Sequence, residues 1–232
     1  MKVTYFGHSA VGFESGGYAV LIDPFITDNP WTEGIVTADG LDADTILLTH
    51  AHGDHWGDTP AIAKRTGAEV VATFEIIQYL SRNHGHENGI AANTGGKIVL
   101  DWGSVSFTHA RHSSSFPDGT YGGSPNGFII EAGGVTLYHA GDTAPFPDME
   151  WLGSRYDIDL AFIPIGDCFT MGPEDSLRAI ELVRPRAVVP IHYDTFPPIK
   201  ISNDRLEAWS AAVRELGAKP EIMGCGETLE LT

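Results

Sequence analysis

Short apolar runs recur along the chain, each cut off by Gly, Pro or Asp. The spacing predicts strands at KVTYF (2–6), YAVLID (18–23), TILLTH (45–50), EVVAT (69–73), KIVLD (97–101), VSFTHA (105–110), GFIIEA (127–132), VTLYHA (135–140), LAFIPI (160–165), AVVPIH (187–192), EIM (221–223) and TLEL (228–231). Helical periodicity is rarer. One helix is expected from an Asp58 cap to Arg65, with Gly67 beyond it. A second follows Thr73, with Ile76, Ile77 and Leu80 on one face and Gly85 as its stop. A third begins at Pro173, where Glu174 and Asp175 suit the positive end. A fourth opens at Ser202 and carries the stripe Leu206, Trp209, Val213 and Leu216 before Gly217. No fixed-period repeat or linker divides the chain. The pattern implies two sheets packed face to face with helices outside, in one domain over 1–232. The segments Thr27 to Ala43 and Ser113 to Asn126 are the long loops, where function often resides.

The apolar runs end in an unusual way. THAHGDHWGD, residues 49–58, holds three histidines and two aspartates in ten positions. His50 and His52 are two apart, so in extended chain they point to one side. Gly53 then lets the chain turn, and Asp54 and His55 follow. Further on, VSFTHARH ends at His112, VTLYHAGD at Asp142 and AVVPIH at His192. In layered α/β folds, sites collect beyond the carboxyl ends of strands. These four segments are therefore expected to converge on one pocket. Imidazole and carboxylate ligands suit Zn, Mn, Fe or Co.

The 232 residues are 42% hydrophobic, enough for a well-buried core. A net charge of −17 with 14 Lys and Arg argues against nucleic acid as a partner. No apolar stretch reaches the ~18 to 20 residues of a membrane span, and MKVTYFGHSA reads as a strand. A cytoplasmic protein acting on a small molecule is expected, with homo-oligomerisation left open. Cys168 and Cys225 form no CxxC pair. Phosphate-binding glycine loops and the GxSxG serine elbow are absent.

The motifs resemble the metallo-β-lactamase superfamily. HAHGDH matches its HxHxDH, and His112, Asp142 in AGDT and His192 match its later ligands in order. YFGHSA, ARHSSSFPDG, YHAGDT, PIGDCFTMGPED and VPIHYDTFPPI narrow the resemblance to predicted metal-dependent hydrolases, similar to ascorbate-6-phosphate lactonases. The resemblance implies an α/β four-layer αββα sandwich and two divalent ions, Zn or Mn. It implies that His50, His52 and His112 hold the first, that Asp54, His55 and His192 hold the second, and that Asp142 bridges them. Hydrolysis of a lactone or other ester by a shared hydroxide is then expected. A small phosphodiester, or a non-hydrolytic di-metal redox role, is the alternative. Asp54 and His8 are the expected catalytic residues, with His8 a candidate proton donor. His109 competes with His112 as third ligand, and His139 is expected near the ligands or in the core. Asp167 is expected to orient a ligand imidazole, and Ser113, Ser114 and Ser115 to meet an oxyanion or make a turn. His84 and His86 are expected in a solvated loop or at the pocket mouth, and Cys168 is expected to be idle.

Overall fold

The computed structural model describes residues 1–232. Its first sheet is built from β1 (Lys2–Gly7), β2 (Ala10–Ser15), β3 (Tyr18–Ile22), β4 (Thr45–Leu47), β5 (Glu69–Thr73), β6 (Gly89–Ala92) and β14 (Thr228–Glu230). These strands lie in the order β14-β1-β2-β3-β4-β5-β6. The second sheet is built from β7 (Lys97–Leu100), β8 (Gly103–His109), β9 (Asn126–Ala132), β10 (Val135–His139), β11 (Leu160–Pro164), β12 (Ala187–Ile191) and β13 (Lys219–Pro220). Its order is β13-β12-β11-β10-β9-β8-β7. Each sheet begins as an antiparallel meander and continues in parallel, from β3 to β6 in one and from β10 to β13 in the other. Parallel neighbours end on the same side, so both sheets present strand carboxyl ends at one rim.

Burial follows the layers. Between the sheets lie Val3, Phe13, Leu47, Val71, Phe107, Phe128, Phe162 and Val189. The outer face of the first sheet packs Ile46, Leu48 and Val70 against α2 (Thr59–Thr66) and α3 (Phe74–His84) through Ile62, Ile76 and Leu80. The outer face of the second packs Ile129, Ala161 and Ile163 against α4 (Met149–Arg155), α5 (Pro173–Val183) and α6 (Asn203–Glu215). The result is the expected αββα sandwich. No helix is long and apolar enough to cross a membrane.

Several local expectations need correction. β2 and β6 carry Gly and Ala where a strand signal needs branched residues, yet both pair with neighbours. Gly153 masks α4 in the sequence. Its absent Cβ lets the helix approach the end of α5; an added Cβ would lie 2.3 Å from the Leu182 carbonyl oxygen. The last parallel strand pairs at Lys219–Pro220, ahead of the expected EIM. TILLTH pairs only over Thr45–Leu47, because the chain beyond it turns into the site. Asp58 does not cap α2. Its carboxylate instead accepts from the Ile26 and Thr27 amides and pins the long loop. Ser202 does cap α6, accepting from the Arg205 amide. On the α6 stripe Trp209 and Val213 are buried while Leu216 is exposed.

Candidate metal centre

The strand ends deliver their side chains to the common rim. After β4, His50 and His52 lie on extended chain, and the single turn α1 (Gly53–Trp56) presents Asp54 and His55. His112 follows β8, Asp142 follows β10 and His192 follows β12. Two hydrogen bonds tie the sheets together here: the Asn126 amide donates to the Thr49 carbonyl, and the His192 amide to the His8 carbonyl.

Seven expected residues come together. His52 Nδ1 lies 3.0 Å from His50 Nε2 and 3.3 Å from His112 Nε2. A second group gathers Asp54, His55 and His192, joined by His8. Asp142 stands between them. Its Oδ1 is 3.2 Å from His55 Nε2, and its Oδ2 is 3.0 Å from His192 Nε2 and 3.5 Å from His112 Nε2. His109 joins neither group, and packs edge-on against Phe146.

Hydrogen bonds behind the cluster decide which nitrogens face inward. The Asp23 carboxylate accepts from the Thr49 amide, the Thr49 hydroxyl and His55 Nδ1–H, at 2.8, 2.5 and 2.7 Å. That leaves the His55 Nε2 lone pair pointing at the centre. Thr49 Oγ1, its proton given to Asp23, accepts from His50 Nδ1–H at 3.0 Å and frees His50 Nε2. Ser113 Oγ lies 3.4 Å from His52 Nε2, which leaves Nδ1 inward. His139 donates to the Ser9 carbonyl and accepts from the Gly141 amide, which sets the turn before Asp142.

His8 is fully buried with both ring nitrogens engaged. Nε2–H donates to Asp54 Oδ2 at 3.0 Å, and Nδ1 meets the Thr195 hydroxyl at 2.8 Å. Burial, then the neighbouring His192 charge, lowers its imidazole to about 4. The enclosed ring thus directs its Nε2–H at a carboxylate of the cluster. His8, Asp23 and His192 all have positive φ, of 55°, 46° and 55°. Such strain persists where surrounding structure over-determines it, as at functional sites.

The donor set fits divalent cations. His55 Nε2 and Asp142 Oδ1 are buried and, despite their 3.2 Å separation, lack hydrogen-bond alignment with any partner. Buried acceptors left in that state are costly, and a cation satisfies them. Charge tells the same story. Burial opposes charging His192, but the Asp142 carboxylate overrides it and raises the imidazole to about 9. Burial also opposes the charged form of His55, which Asp142 and Asp23 likewise raise. Burial and the His55 charge push His50 well down. The cluster is thus a well of negative potential that protons or metal cations can fill.

Other expected residues are placed elsewhere. Asp167 orients no imidazole; it accepts from the Cys168 amide and its other oxygen lies 3.9 Å from Arg205. Cys168 is exposed. His86 bonds to the Ala68 and Asn88 carbonyls, and His84 packs on Trp56 and Tyr79. Ser114 accepts from the Ala51 amide, while Ser115 bridges to Tyr121. Sequence reasoning misses Asp23, although YAVLID shows the same signal as the other segments, an apolar run ending in a carboxylate.

Comparison with known proteins agrees with the fold. Residues 18–193 match the model of the β-lactamase superfamily domain. The chain is 46% identical over 232 residues to a UPF0173 metal-dependent hydrolase of Salinibacter ruber, covering 100% of both chains. It is 49% identical over 231 residues to one of Thermus thermophilus, covering 100% of this chain and 99% of the relative. Among solved structures, Igni18, a metallo hydrolase of the archaeon Ignicoccus hospitalis, superposes with a TM-score of 0.87 at 40% identity, covering 100% and 99% of the two chains. The metallo-β-lactamase fold protein YhfI of Bacillus subtilis shares the fold, with a TM-score of 0.74 at 19% identity and 98% of each chain covered.

Proposed function

The chain belongs to the UPF0173 metal-dependent hydrolase family of the β-lactamase superfamily, and from that premise we propose that it cleaves a lactone or other small-molecule ester at a two-cation centre. His50, His52 and His112 would hold one cation, Asp54, His55 and His192 the other, and Asp142 would serve both. The observation that carries this reading is the Asp142 carboxylate, whose two oxygens face His55 on one side and His112 and His192 on the other. Zn or Mn suits seven imidazole and carboxylate donors. Such cations acidify water to give a nucleophile at neutral pH and polarise the oxygen of the bond under attack.

The chain's own residues supply alignment and enclosure. Asp23 and Thr49 lock the imidazole tautomers. Asp54 is partly exposed, with 30% of its side chain accessible, and stands where a proton can pass between cluster and solvent. His8, itself held by the Thr195 hydroxyl, donates to its carboxylate from behind. Phe25 and Phe196 pack their rings 5.8 and 5.7 Å from His8 and give this side of the centre an apolar wall. An apolar wall suits an uncharged ester better than a phosphodiester.

The test is elemental analysis of protein purified without chelator, followed by a panel of lactones, carboxyl esters and phosphodiesters in the metal found. About two Zn or Mn per chain with turnover of lactones or esters supports the proposal. Turnover confined to phosphodiesters, or a coloured iron centre without hydrolysis, would overturn it.

A further inference from the structure

His112 is the least supported imidazole of its group. Thr49 backs His50 and Ser113 backs His52, whereas the polar neighbours of the His112 ring, His52 and Asp142, both lie at Nε2. No side chain orients the ring from its Nδ1 side. β8 ends at His109, and residues 110–114 run on as irregular chain. Neither a strand nor a ring partner fixes where this imidazole stands.

Two hydroxyls bracket it. One residue before His112, the Arg111 amide donates to Thr143 Oγ1 at 2.9 Å. Thr143 gives its own proton to the Ala144 carbonyl at 2.6 Å, so its oxygen is left to accept. The Ala144 amide returns a bond to the Arg111 carbonyl at 3.3 Å. Two residues after His112, Ser114 Oγ accepts from the Ala51 amide at 3.2 Å. The Ser114 carbonyl accepts from the Gly122 amide at 3.1 Å. Gly122 fits there because it lacks a Cβ, which would lie 2.3 Å from Ala51 Cβ and 2.6 Å from Ser114 Oγ.

The partners decide what each bond does. Thr143 directly follows Asp142, and Ala51 lies between His50 and His52. One hydroxyl thus ties the His112 segment to the carboxylate between the two ligand groups, and the other ties it to the paired histidines after β4. Together they set both gaps that His112 Nε2 faces, 3.5 Å to Asp142 Oδ2 and 3.3 Å to His52 Nδ1. Thr143, Ala51 and Ser114 are all buried, so removing either hydroxyl strands an amide away from water. Asp142 keeps supports of its own, the Gly141 amide on His139 and the Ala140 amide on the Phe162 carbonyl.

Resting on the two-cation reading, we propose that Thr143 and Ser114 are positioning residues for His112, and through it for the first cation alone. Asp54, His55 and His192 take their hydrogen bonds from other residues.

The test titrates zinc into the chelated protein against a chromogenic chelator. Alongside it, diethyl pyrocarbonate labelling of each histidine is read by mass spectrometry with and without zinc. The wild type should take up two equivalents. T143V and S114A should each weaken one equivalent about 10- to 100-fold and spare the other. T143S keeps the hydroxyl and should retain both. A single equivalent of zinc should leave His112 open to label in T143V and S114A. In the metal-free chain His112 labelling should rise about threefold to tenfold in these two variants, the factor one net hydrogen bond is worth, with His50 and His192 unchanged. Both equivalents weakened alike, neither weakened, no rise in His112 labelling, or T143S behaving as T143V would overturn the proposal. A wild type that takes up no zinc would sink the two-cation reading instead, and the metal-free labelling then decides the placement of His112 on its own.

Discussion

Asp23 Oδ2 lies 2.7 Å from His55 Nδ1, and both side chains are fully buried. One carboxylate thereby fixes the tautomer of a residue facing Asp142 and, through the Thr49 hydroxyl, that of His50. Asp23→Asn keeps an acceptor for the Thr49 amide but loses the charge. Removing partners of this kind typically lowers metal affinity about 10- to 100-fold. The variant should fold, as judged by circular dichroism, and show that loss in competition with a chromogenic chelator. Unchanged affinity would make Asp23 a purely structural residue.

Asp142→Asn tests the bridge. Asparagine preserves size but removes the charge facing both groups of ligands. Metal content should fall in both sites together, and kcat by at least about a hundredfold. Loss of a single equivalent would assign Asp142 to one cation only.

For His8, positioning and proton donation predict different pH profiles. His8→Gln can still donate to Asp54, whereas His8→Phe cannot. The Gln variant should retain a larger share of kcat than the Phe variant. In a positioning role neither should shift the alkaline limb of the kcat/KM profile, because the ring then moves no proton to the substrate. A vanished alkaline limb in both would make His8 the acid.

How much of this is legible in the sequence depends on what each residue does. His50, His52, Asp54 and His55 announce themselves by spacing, and His112, Asp142 and His192 by ending apolar runs, so their convergence follows from parallel strands sharing a rim. Asp23 ends an apolar run too, but Asp23–Pro24 also reads as a turn, and its partners lie 26 and 32 residues away. Thr195 is invisible for the same reason, its imidazole partner being 187 residues distant. β2 and β6 escape notice because their place is set by sheet neighbours, and α4 because Gly153 serves a helix contact. Local chemistry is written locally; support for it is written across the fold.

Gly166 offers a test of that support. A Cβ there would lie 1.9 Å from the His192 carbonyl oxygen, an atom of the backbone that cannot swing aside. Gly166→Ala must therefore displace the β12 end that carries His192. Overpacking of this kind costs about 1–3 kcal/mol, occasionally more. Urea denaturation should show that loss, with weaker metal binding alongside. Wild-type stability with wild-type metal content would mean that the strand end yields without disturbing the ligand.

Metal removal joins stability to the site. Ligand imidazoles must be neutral to bind, so cations displace protons. In the metal-free chain His192 titrates at about 9, held up by Asp142 against the cost of burial. Loading the chelated protein at neutral pH should therefore release protons, and apparent affinity should rise with pH until that imidazole is neutral. Calorimetry in two buffers of different ionisation enthalpy measures the release directly. The cation also binds the native state in preference to the unfolded chain. At free metal ~1,000-fold above Kd the gain is about 4.1 kcal/mol, so chelation should lower Tm by several degrees and re-addition should restore it. A Tm indifferent to chelator, with no proton release on loading, would mean that the clustered imidazoles and carboxylates satisfy one another and hold no metal.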